Sequence, residues 1–261
     1  MPLKLDYYLY RFFIIWYVIG LFLLSFDLVP SWLEWANVVF LMTSGLLGMF
    51  YFYRNSPALT GLFLIGTIFI MSMAIESFGV HTGLFFGDYS YQADFGPKVA
   101  GVPLTIGFAW TMVIATSHVL AAPVVNIFKR FRRIIYSVYG AFIGTSLDLI
   151  IDPVAFEVKQ YWVWETGGFY YNIPFSNFLG WFILSFILHF ILSTVLLRNG
   201  KWKGTNRHFW HKRMLYLYGM MAFMFVIVAL VNGMILAPLV SLLTASAYYV
   251  LYIFFNRRAD L

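Results

Sequence analysis

Long apolar runs broken by short polar punctuation dominate this chain. Eight are long enough for a hydrocarbon core, which takes about 20 apolar residues: residues 10–26, 34–53, 58–76, 103–125, 134–151, 177–197, 214–231 and 235–255. Lipid offers no partner to a bare N–H or C=O, so each run is read as a helix. The pattern predicts an all-α, polytopic integral membrane bundle of about eight transmembrane helices. Residues 1–261 form one transmembrane domain in this reading. Asn55-Ser56-Pro57 and Asn232-Gly233 supply the breaks where hydropathy alone would merge neighbouring runs. The first run follows Lys4 and Arg11, as a signal peptide's apolar region would. It is long for one, however, and Asp27 to Pro30 follow it where a small-residue cleavage site would stand. A retained helix is the expectation.

Charge orients the bundle. Of 17 Lys and Arg residues, all but Lys98 and Lys159 fall on one set of ends and loops. Nine of 11 carboxylates fall on the opposite side. Positive-inside bias then puts both termini and the basic loops in the cytoplasm. The net charge of +6 is thus a topology signal, and no nucleic-acid partner is expected. With 11% charged residues the chain also lacks a wetted surface, since soluble domains carry about 25%. There is no cysteine, which removes disulfides, thiolate catalysis and Cys-bound metals.

The outer loops, 77–102 and 152–176, are rich in Gly, Tyr, Trp and Phe and are expected to fold back onto the helix ends. A weak internal echo links the two halves that carry them. Each loop has Thr-Gly followed by aromatics, at Thr82-Gly83 and Thr166-Gly167. Each returning helix opens with proline and places tryptophan seven residues later, Pro103 to Trp110 and Pro174 to Trp181. Proline suits a helix's first turn, where its missing N–H is no loss.

Candidate chemistry lies at this outer level. Counting from Ala58, Glu76 is roughly 27 Å across; from Ile134, Asp148 is roughly 21 Å across. Asp152 follows Asp148 at i+4 and shares its face, and Pro153 is expected to end the span there. Asn177 and Trp181 open the returning helix at the same depth. Intramembrane acids are costly and usually functional. Paired carboxyls tend to share a proton, and the protonated member can act as a general acid. Trp110, Trp164, Tyr170, Tyr171 and Trp181 could stabilise a cation by cation–π attraction. The same residues also suit a structural reading, with the aspartates bracing helix ends and the aromatics forming an interfacial belt.

His81, in the outer loop five residues after Glu76, could orient an acid or relay a proton. His118 and His189 lie deeper and are read as structural. His208 and His211 sit in a basic loop, at a spacing too short a signal for a metal site. Five scattered histidines do not suit a di-iron oxygenase, and no metal is expected. No P-loop, dinucleotide fingerprint or nucleophile elbow occurs. A reaction needing only a proton and water, with no cofactor, suits these absences.

Two stretches carry a resemblance. The first runs from Glu76 through His81-Thr82-Gly83 and Gly87-Asp88-Tyr89-Ser90-Tyr91 to Gly101-Val102-Pro103-Leu104. The second runs from Asp148-Leu-Ile-Ile-Asp152-Pro153 through Trp162-Val163-Trp164 and Tyr170-Tyr171-Asn172 to Asn177 and Gly180-Trp181. Together they resemble the CruF-type membrane carotenoid biosynthesis family, most strongly over residues 70–185; Asn172 departs from the glycine more usual there. The resemblance implies a carotenoid 1,2-hydratase, a cofactor-independent hydro-lyase. Such an enzyme adds water across the terminal double bond of an acyclic C40 or C50 carotenoid end group. On that basis Asp148 or Asp152 is the acid, with Glu76 and His81 positioning water and taking its proton. The substrate-binding set is Trp110, Trp164, Tyr170, Tyr171, Trp181 and Asn177, with Asp88, Tyr89 and Tyr91 as further candidates. The implied partners are a carotenoid or other long isoprenoid and membrane lipid, with other carotenoid-pathway enzymes as an open addition. The implied place is a prokaryotic cell membrane, with the acidic and aromatic layer toward the non-cytoplasmic side. A non-catalytic carotenoid or isoprenoid binder, or a pathway scaffold, is the main alternative, and a proton-coupled transporter a lesser one.

Overall fold

The computed structural model describes residues 3–198 and 208–259. Helices follow in the order α1 (Lys4–Ser25), α2 (Trp35–Asn55), α3 (Ala58–Thr82), α4 (Leu104–Ala121), α5 (Val124–Ile127), α6 (Arg132–Pro153), α7 (Phe175–Arg198), α8 (His208–Val231) and α9 (Leu236–Ala259). Four short strands, β1 (Tyr89–Tyr91), β2 (Lys98–Val99), β3 (Val102–Pro103) and β4 (Trp162–Trp164), lie in the loops at one end. Eight helical segments are long and apolar enough to cross a membrane, with α4 and α5 forming one crossing, Leu104–Ile127. The protein is a polytopic helical membrane protein. Lys201, Lys203 and Arg207 of the expected basic loop lie outside the described residues, as does the side chain of His208.

Burial ranks the helices. In α4, 89% of the apolar stretch is buried, against 17% in α1 and in α9. The central post is therefore α4, and the other two face outward. Its small residues explain the placement, because short side chains let neighbouring backbones approach. Thr111, Thr116 and Ser117 are fully buried and turn their hydroxyls back to carbonyls of their own helix at 2.6–2.9 Å. The first helix is tied in as well: Trp16 donates to the Ala36 carbonyl at 3.1 Å and Tyr17 to that of Met220 at 2.8 Å.

Helix ends depart from the hydropathy reading in several places. The third span continues past Glu76 to Thr82 and closes on Gly83 in the left-handed region at φ 66°. Glu76 is therefore well inside a helix, and His81 is helical rather than in a loop. Pro153 does not stop the sixth helix. A π-helical turn, Val154–Val158, continues it, closed by Lys159 N–H donating to the Val154 carbonyl at 2.9 Å, while the Leu149 carbonyl that Pro153 cannot reach accepts from the Tyr170 hydroxyl at 2.8 Å. Such turns inside helices are frequent at functional sites. The eighth helix begins at His208, six residues before the expected 214, and its Arg213 lays its guanidinium over the Tyr10 ring at 4.6 Å.

The outer loops pair with each other. Strand β1 runs antiparallel to β4, with Tyr89 opposite Trp164 and Tyr91 opposite Trp162. This pairing forms a strap over the ends of α3, α4, α6 and α7. Close contact at Gly180 completes it: a β-carbon there would lie 2.8 Å from the Phe85 carbonyl oxygen.

Candidate active site

A cavity of about 100 Å³ lies beneath this strap. Glu76 of α3 and Asp152 of α6 both face it, with Asn177 of α7. Its walls are aromatic: Tyr89, Trp110, Trp164 and Trp181, with Phe86 and Trp162.

Glu76 is buried and accepts three hydrogen bonds. Trp110 donates its indole N–H to Oε1 at 2.8 Å. Tyr89 donates its hydroxyl to Oε2 at 2.5 Å, and Tyr91 donates to the same oxygen at 3.4 Å. Burial, reinforced by the Glu76 charge, pushes both phenols well above the ordinary tyrosine range. They remain donors at any pH the protein meets.

The aspartates are arranged differently. Asp148 is fully buried and Asp152 nearly so. The side-chain amide of Asn177 donates to Asp148 Oδ2 at 3.0 Å and also to Asp152 Oδ2. The i+4 spacing thus brings the two carboxyls onto one amide. The two aspartates also share a side-chain hydrogen bond with each other. Asp152 faces the cavity, while Asp148 stands behind it. Two carboxyl sites therefore oppose each other, one holding three donors and the other a single shared amide.

Trp110 and Trp181 stack with ring centroids 4.2 Å apart and planes 25° apart. They hold equivalent positions in the sequence echo. Trp164 lies 4.9 Å from Tyr89, and its indole N–H is buried without a partner.

Several expected residues stand apart from this cluster. His81 is exposed, and its Nδ1 pairs with the Ser77 carbonyl at 2.7 Å. Five residues along a helix turn it away from the face that carries Glu76. Asp88 is also exposed, and only its backbone carbonyl joins the strap, accepting from Glu165 N–H at 2.9 Å. Tyr170 donates to the Leu149 carbonyl at 2.8 Å and so props the aspartate helix from behind. The Tyr171 hydroxyl accepts from Ala237 N–H at 3.1 Å at the start of α9, away from the cavity. The deeper histidines form their own cluster, with His118 Nδ1 2.5 Å from the Tyr136 hydroxyl and His189 Nε2 3.1 Å from Ser117 Oγ. Among the described residues no three His, Asp or Glu side chains converge as a metal site would require.

Phe95, Met221 and Phe225 also line the cavity. Nothing in their local sequence marks them: Met221 and Phe225 are apolar side chains on an apolar helix, which look the same facing lipid or a site, and Phe95 is one of many aromatics in its loop.

Residues 36–247 match the model of a family described as carotenoid biosynthesis protein. That is most of the chain, and the chain belongs to this family. It is also 27% identical over 116 residues to a bisanhydrobacterioruberin hydratase from Haloarcula japonica. That match spans 44% of this chain and 38% of the relative. No solved structure matches.

Proposed function

We propose that this member of the carotenoid biosynthesis family hydrates a carotenoid end group, adding water across the terminal 1,2 double bond. The observation that carries the reading is the opposition of two differently furnished carboxyl sites across one aromatic cavity. Two carboxyls sharing a site tend to hold one proton between them. The Asp148–Asp152 pair is the acid, with Asp152 facing the alkene. Its proton adds to the less substituted carbon of the double bond, leaving a tertiary cation on the other. The stacked Trp110–Trp181 pair, with Tyr89 and Trp164, presents π faces to that cation. Glu76, already arranged as an acceptor, orients one water for attack on the cation. The C–O bond forms, and the oxonium proton passes to Glu76. The cycle closes when that proton returns to the aspartate pair, and the net change is one added water. His81 is left out of this assignment because its ring is engaged at the surface. Positive-inside bias supports a site layer on the non-cytoplasmic side of a prokaryotic cell membrane.

The test is expression in cells that accumulate lycopene, followed by chromatography and mass spectrometry. The expected product is heavier by one water and takes up oxygen-18 from labelled water. The relative's name makes bisanhydrobacterioruberin the second carotenoid to offer. Asp148→Asn, Asp152→Asn and Glu76→Gln should each lose about 100-fold or more in rate, the scale of a general acid or base. Both carotenoids returned unchanged by inserted protein would overturn the reading in favour of a binder. Full activity in the three variants would overturn the assignment of roles.

A further inference from the structure

A second chamber of about 70 Å³ adjoins the cavity that holds the acids. The two share Leu41, Phe95, Ile151, Trp162 and Phe225 as a common wall, so they lie end to end. Beyond that wall the lining is hydrocarbon, from Val154, Ala155, Met224 and Val228. The π-helical turn is what opens this space, because Val154 and Ala155 belong to it. The chamber reaches Leu24 of α1 and Asn37 of α2, then Lys159 and Tyr161. These four are only half-buried, whereas Val154, Ala155, Met224 and Val228 are buried.

The polar groups at that far end are occupied with one another. Lys159 pairs with Asp27 at 2.8 Å, and this contact holds the Asp27 carboxyl below its ordinary range. Tyr161 and Asn37 hydrogen-bond to each other. No polar atom is thereby left pointing into the chamber to select a polar ligand. A buried polar recognition group would need such an atom, since polar groups taken from water without a partner are costly.

We infer that this second chamber is the binding site for the methyl-bearing polyene stretch behind the reacting end group. The chain enters between the outer ends of α1 and α2 and passes the five-residue wall to present its tip to Asp152. This rests on the hydratase reading for the identity of the chain, but the chamber's ligand class follows from its own lining. The mouth lies where α1, the least buried helix together with α9, meets α2. The Asp27–Lys159 pair crosses this mouth, and an ion pair with an exposed carboxylate holds only weakly. It can part to admit a chain and close again.

The experiment fills the chamber and reads binding separately from turnover. Purified wild-type protein in lipid vesicles is incubated with lycopene, and bound pigment and hydrated product are both measured. Ala155→Phe and Val228→Phe block the chamber from opposite walls without touching a carboxyl. Each should lower bound lycopene at least tenfold, with product falling in parallel. Helical circular dichroism and a single gel-filtration peak select variants that fold, and Ala155→Val serves where phenylalanine does not. Folded variants that bind lycopene like the wild type would overturn the inference, as would a wild type that binds none. A wild type that binds lycopene but returns it unchanged, with binding lost in the filled variants, would instead uphold the chamber and remove the hydratase reading.

Discussion

Two separate segments deliver three donors to the single carboxyl of Glu76: Tyr89 and Tyr91 from β1, and Trp110 from α4. Removing one leaves a buried oxygen short of a partner, at a cost of about 1–3 kcal/mol. Tyr89→Phe and Trp110→Phe should therefore each lower turnover by about 10- to 100-fold in vesicle assays with a carotenoid. His81→Ala should stay within about twofold of wild type, because a surface substitution without buried partners changes little. The contrast tests whether the histidine belongs to the site. At this scale the sequence was legible where spacing has a geometric meaning. Asp148 and Asp152 at i+4, and Asn177 and Trp181 at i+4 on the returning helix, each had to share a face. His81 was misplaced in a loop because the third helix runs on past its polar residue to Thr82. An exposed polar residue at a helix end and one in a loop read alike in a single sequence.

Among elements, α2 and α4 pack backbone against backbone. A β-carbon added at Gly45 would sit 2.5 Å from the Phe108 carbonyl oxygen, and one at Gly48 would sit 2.8 Å from that of Thr111. Backbone cannot yield as a side chain tip can. Gly45→Ala should cost about 1–3 kcal/mol through overpacking. Its thermal midpoint in detergent should fall by several degrees. Gly66 has nothing within 4 Å of an added β-carbon, so Gly66→Ala should hold or raise the midpoint through better helix propensity. The eight crossings themselves were legible because lipid allows the backbone few alternatives. Helix ends were not, since hydropathy ends a run at its first polar residue. Glu76 and Asp152 are polar but buried in protein, and the helices continue through them.

For the molecule as a whole, orientation is the open expectation. The chain has no cysteine, so single cysteines report without background. Asp94→Cys in the strap-side loop should react with a membrane-impermeant maleimide added to intact cells. Arg130→Cys at the basic end should react only after lysis. The reverse pattern would invert the assigned topology and move the site layer to the cytoplasmic face. The pairing of β1 with β4 could not be read from sequence. Each strand is three residues long, too short for alternation to register, and about 70 residues separate them.

The strap also imposes a sequence of events. It bridges two loops over the acids, so in the proposed hydratase reading substrate comes from the side chamber and water by another route. On that reading, a pocket loaded from the side receives its hydrocarbon before a lone water molecule finds the cation. Late arrival of that water would let a neighbouring proton leave carbon instead, giving back an alkene with its double bond in the same or a shifted position. A loosened strap should therefore betray itself less in rate than in bookkeeping of isomers: the balance of alcohol to rearranged alkene records how promptly water is delivered.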